Sequence, residues 1–149
     1  MTILCLALAL ALTCLLAFVS YVQLLYLESL RLIRREVPSL EFFRDTLAAK
    51  IGLEPEHGSL AFSLVKHVSL FLLGLFYLCA LVRPSVPRWQ SVLEAIGSSF
   101  LAMLTSTYFV PLFLYRRTTG SWMLKVLPAI RLLAAVASPL AALVKMFQS

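Results

Sequence analysis

The sequence predicts an all-α integral membrane fold: three transmembrane helices, with cytoplasmic amphipathic and juxtamembrane belt helices around them. Apolar stretches of spanning length occupy most of the 149 residues, and hydrophobic side chains make up 61% of the chain against 13% charged. Short arginine-rich segments separate or follow those stretches. A hydrocarbon core of ~30 Å needs about 20 apolar residues in a helix rising ~1.5 Å per residue. Residues 2–27, 59–82 and 91–115 each supply them. Because lipid offers backbone groups no hydrogen-bond partners, a span must be a helix or part of a closed barrel, and none of these runs alternates with a period of two. With a mean hydropathy of +0.93, the chain has too few polar residues to cover a water-facing surface.

The first run has no basic segment ahead of it and no small-x-small cleavage site, and it is too long for a signal peptide, so it reads as an uncleaved helix. Beyond it lie Arg31, Arg34, Arg35, Arg44 and Lys50, and beyond the third run Arg116, Arg117, Lys125, Arg131 and Lys145; the loop between the second and third runs holds Arg83 and Arg88. Basic loops stay on the cytoplasmic side, so the amino terminus is expected outside and the carboxy terminus in the cytoplasm of a cell-membrane protein. After Pro38, Ser39 can cap a helix with Leu40, Phe43, Leu47 and Ile51 on one face and Gly52 at its end. That face suits the membrane interface, and a protein partner is the alternative. Gly74 in the second run reads as a close helix contact. Residues 121–147 are apolar but divided by Lys125, Arg131 and Lys145 and interrupted by Pro128 and Pro139. A fourth crossing would put Arg131 near the bilayer centre at about 2.5–3.5 kcal/mol, so an in-plane belt helix is favoured.

The net charge of +6 tracks the membrane flanks and carries no stacking-aromatic or zinc-finger pattern, so the expected partner is the lipid bilayer and not nucleic acid. Cys5, Cys14 and Cys79 sit inside apolar runs with no C-x-x-C pair and read as small hydrophobes. No Ser/His/Asp set or glycine-rich phosphate loop is present, which argues against an enzyme or a resident cofactor.

The order of parts resembles the transmembrane domain of the CNNM/CorC cation-transporter family. The carrying residues are Ser20 with Leu30-Arg31-Leu32-Ile33-Arg34-Arg35, then Pro111, Arg116-Arg117, Pro128-Ala129-Ile130-Arg131-Leu132-Leu133 and Ser138-Pro139-Leu140. The resemblance covers nearly the whole chain as a single domain without the family's CBS modules. It implies three membrane helices, a juxtamembrane belt, a homodimer or a heterodimer with a full-length member, and magnesium transport through an inward-facing cavity. The family's chemical motifs are altered here. Ser-x-Ser-Glu-Thr becomes Ser20-Tyr21-Val22-Gln23-Leu24, Gly-Asn-Asn becomes Lys66-His67-Val68, and Gly-Glu-x-x-Pro-Lys becomes Thr107-Tyr108-Phe109-Val110-Pro111-Leu112.

The candidate metal-site residues are therefore Ser20, Gln23, Ser63 and Thr107, with Pro111 breaking a helix and freeing carbonyl oxygens beside them. Magnesium ordinarily takes at least one carboxylate, yet Glu28 and Glu94 fall at span ends and read as solvated interfacial groups. Lys66 either snorkels to the interface or projects into the cavity as a built-in cation held by Ser20, Ser63 or Thr107. His67 has no second metal ligand placed with it. The hydroxyls of Ser98, Ser99, Thr105, Ser106 and Thr107 serve either close packing or a polar pathway. The alternative to transport is a degenerate, non-transporting paralogue that acts as a scaffold or partner subunit of a complete transporter.

Overall fold

The computed structural model describes residues 2–31, 37–82 and 87–146, and among these every regular element is helical. The basic positions Arg34, Arg35 and Arg83, and Phe147 at the end of the expected belt helix, lie outside the described residues. Three helices are long and apolar enough to cross a membrane: α1 (Thr2–Leu30), a second span later in the chain (Pro55–Leu81), and a third over Arg88–Arg117. The protein is thus a multi-pass membrane protein; the first helix ends three residues later than hydropathy suggests, the second starts four earlier and ends one short, and the third runs past both expected boundaries. Between the first two spans lie α2 (Pro38–Phe42), a π-helical turn over Phe43–Leu47, and α3 (Ala48–Ile51); the second span is α4. The third is α5 (Arg88–Leu104), a π-helical turn over Thr105–Phe109, and α6 (Val110–Arg117). A 3₁₀ turn over Ser121–Leu124 leads into α7 (Leu127–Met146).

Local chemistry sets the ends. Pro38 and Pro55 open α2 and α4 from the first-turn positions, where a missing N–H costs nothing. Pro38 also displaces the expected cap: Val37 takes the capping position, and the Ser39 hydroxyl instead donates to the Tyr115 carbonyl on the third span at 2.8 Å. Gly52 closes α3 with a φ of 76°, a left-handed conformation that side chains resist. Two arginines then satisfy orphan carbonyls at helix ends, Arg44 on Ser29 of α1 at 3.3 Å and Arg131 on Lys50 of α3 at 2.8 and 2.6 Å. Glu28 is buried at 7% exposure and paired with Arg31 at 3.1 Å, so it is not the solvated group expected from its position.

The packed core lies at the basic end of the bundle. Leu40, Phe43 and Leu47 of the amphipathic segment are buried there with Val22, Leu25 and Tyr26 of α1, Phe62 of α4 and Ile130 of α7. That segment therefore docks on its own spans. Tyr26 sits edge-on to Phe43 at 4.8 Å and stacks on Phe62 at 5.7 Å, contacts worth about 0.5–1.5 kcal/mol each beyond burial. Toward the other end the first two spans meet through Ala9, Leu16 and Leu73, while Ile3, Leu4 and Leu10 are exposed, as lipid-facing side chains are. The expected close contact at Gly74 is absent: a Cβ there would come no nearer than 4.0 Å to Ser99 Oγ, and a cavity of about 280 Å³ lies beside it.

The buried stripe of α7, Ile130, Ala134, Ala137 and Ala141, recurs every three or four residues. Ala137 and Ala141 cluster with Ala61, small residues that let backbones approach. Ala141 also shares a cavity with Leu60, Ser63, Leu64 and His67 of α4.

At Gly58 the Tyr26 ring occupies the space a Cβ would need. Gly58→Ala should lower stability by about 1–3 kcal/mol through overpacking. Gly97→Ala, where a Cβ would meet nothing within 4 Å, should leave it unchanged or raise it; melting curves of the two variants in one detergent check both.

Candidate functional site

Among polar side chains away from the helix ends, several converge on one place. Ser20 lies ten residues before the end of α1, Lys66 eleven after the start of α4, and Thr107 ten before the end of α6. At ~1.5 Å per residue, all three are about 15 Å from the basic end, half the thickness of a hydrocarbon core. They line one cavity of about 240 Å³, with Gln23 one turn from Ser20 and Pro111 one turn from Thr107. The rest of the wall is Leu24, Leu27, Tyr108 and Leu112. Four of the five sequence-derived positions other than Lys66 thus line one cavity with it.

Ser63 does not join them. It lines a separate cavity with His67 and Ala141, because its side of α4 turns toward α7. His67 Nδ1 lies 2.7 Å from the Ser63 carbonyl one turn back, which occupies the ring locally. Among the described residues there is no group of three metal-ligating side chains.

The hydroxyls of the third span separate by use. Thr105 Oγ1 donates to the Leu101 carbonyl at 2.9 Å and Ser106 Oγ to the Ala102 carbonyl at 2.6 Å, the back-bonding expected of packing residues. Thr107 Oγ1 is buried without a partner, and so is Ser20 Oγ across the cavity. The π-helical turn makes the wall more polar still. Val110 N–H bonds to the Thr105 carbonyl, five residues back, and Pro111 has no N–H. The carbonyls of Ser106 and Thr107 are left without the donors an α-helix would supply.

Electrostatically the cavity is a positive site with neutral dipoles. Lys66 makes no ion pair among the described residues, and the described lining contains no carboxylate. Gln23, at 8% exposure, stands where an acid would have balanced it. The contributions of Tyr108, Leu24, Leu27 and Leu112 were missed in the sequence, where apolar positions inside a span look alike.

Compared with known proteins, the chain matches no family model, no curated protein and no solved structure.

A buried hydroxyl without a partner contributes little, whereas a partnered one is costly to remove. With no anion added, Thr107→Val should leave the melting temperature unchanged or raise it. Ser39→Ala, which strips a buried bond to the Tyr115 carbonyl, should cost about 1–3 kcal/mol; equal losses in the two melting curves would contradict this account of the wall.

Proposed function

We propose that this chain is a membrane-embedded domain of the CNNM/CorC type in which Lys66 takes the place of the transported cation. It would then serve as a non-transporting scaffold or partner subunit of a complete divalent-cation transporter. The observation that carries the reading is the position of Lys66 in the same 240 Å³ cavity as Ser20, Gln23 and Thr107, with no carboxylate lining it among the described residues. At an effective dielectric of ~20, a dication about 5 Å from an ammonium is repelled by about 7 kcal/mol. Neutral oxygens do not offset that and the ion's dehydration as well. Magnesium transport by the chain itself is the second reading. It draws on the unpartnered hydroxyls of Ser20 and Thr107 and the carbonyls released by Pro111.

Orientation belongs to the same proposal. Arg31, Arg44, Lys50, Arg116, Arg117, Lys125 and Arg131 flank one end of the bundle, and Arg88 the other. By the positive-inside rule the amino terminus faces out and the cavity lies toward the cytoplasm of a cell-membrane protein. Arg131, anchored on the Lys50 carbonyl of α3, supports a belt helix in the membrane plane.

Reconstituted alone in liposomes loaded with a magnesium indicator, the protein should give no flux above protein-free vesicles, and millimolar magnesium should not shift its melting temperature. Lys66→Asn should create magnesium-dependent stabilisation. Magnesium flux or stabilisation in the unaltered protein would overturn the reading in favour of transport.

A further inference from the structure

We infer that the Lys66 cavity binds a monocarboxylate carrying an apolar substituent. The inference rests on the reading above, that Lys66 and no metal ion supplies the positive charge. Ser20 lines the cavity and is 5% exposed, and its buried hydroxyl has no hydrogen-bond partner. Thr107 Oγ1 is likewise buried and unpartnered on the facing wall. Lys66 and Gln23 line the same cavity, and their side chains carry an ammonium and an amide. The ammonium offers three N–H donors, the amide two and each hydroxyl one, while an ionised carboxylate is acceptor-only with about four lone-pair sites. Donors and acceptors therefore match in kind, and one positive charge matches one negative.

Charge and shape narrow the class. A dianion such as sulfate would leave an uncompensated negative charge among apolar walls, which is costly away from water. A halide would fill little of a cavity of about 240 Å³ and leave its apolar surface uncovered. That surface lies to one side of the polar floor. Leu24 and Leu27 follow Ser20 along α1, and Leu112 follows Thr107 toward the basic end. Leu27 and Leu112 are 45% and 46% exposed. A carboxylate on the floor thus places its substituent along leucines that lead outward.

The test uses the whole protein in nanodiscs at fixed pH and ionic strength, with melting followed during titration by butyrate and by octanoate. Octanol, chloride and sulfate are the controls. A carboxylate should raise the melting temperature where octanol, chloride and sulfate do not. Lys66→Met should abolish the shift, and Ser20→Ala should weaken apparent affinity about tenfold, equivalent to about 1.4 kcal/mol. A stronger effect of butyrate identifies a ligand from the aqueous side, and a stronger effect of octanoate one from the membrane; either supports the site. A shift reproduced by octanol, chloride or sulfate, or retained in Lys66→Met, overturns it. Should Lys66→Met fail to fold, an unchanged affinity in Ser20→Ala overturns it equally. A flat carboxylate response with no magnesium effect removes this inference alone, whereas stabilisation of the unaltered protein by magnesium removes the reading beneath it.

Discussion

The approach of α1 to α4 at Gly58 is the constraint on which the arrangement depends. With no Cβ at that position, the Tyr26 ring lies flat in the gap and stacks on Phe62 while Phe43 meets its edge. Three chain segments are drawn to one point. Between helices in lipid, association rests on van der Waals packing and not on expulsion of water, so a tight aromatic contact matters more there than in a soluble core. The amphipathic segment closes over the contact, and the arginines at helix ends hold it. The spans meet again at Leu16 and Leu73.

The cavity occupies the interval between those contacts. Small polar side chains at Ser20 and Thr107 leave room that leucines would have filled, and the π-helical turn turns two carbonyls out of the ladder beside it. Lys66 is the only formal charge in its described lining. Such a site is expensive to maintain in a low-dielectric setting unless it answers to a ligand, a partner or water. The basic residues of the flanks do two jobs that need not coincide. Their number biases orientation, while Arg44 and Arg131 individually satisfy carbonyls that the helices leave open.

Much of the architecture was legible because it depends on composition and period. Hydropathy located three spans, and the spacing of Leu40, Phe43 and Leu47 identified a one-sided helix. That spacing could not say which surface the face would meet, which turned out to be the chain's own spans. The motif resemblance picked out Ser20, Gln23 and Thr107, and in-span polarity Lys66, since ionisable groups in lipid are few. Ser63 was grouped with them and lies elsewhere, on a side of α4 that shares a cavity with Ala141 of α7, far away in the sequence. The burial of Glu28 and the bond from Ser39 to Tyr115, 76 residues apart, are likewise tertiary facts with no local pattern.

The π-helical turn in the third span also alters how its two halves are phased. Buried positions recur at four residues from Ser91 to Ala95 and again from Pro111 to Tyr115, but five separate Ser106 from Pro111. One surplus residue is thereby absorbed, about 100° of helical rotation at 3.6 residues per turn. Deleting any one residue between positions 105 and 109 would restore a regular helix. It would also keep Pro111 and Tyr115 facing the bundle, whereas a regular α-helix with every residue retained would swing both out of it. The alignment of this span with its neighbours is thus held by a count of residues as much as by their identities.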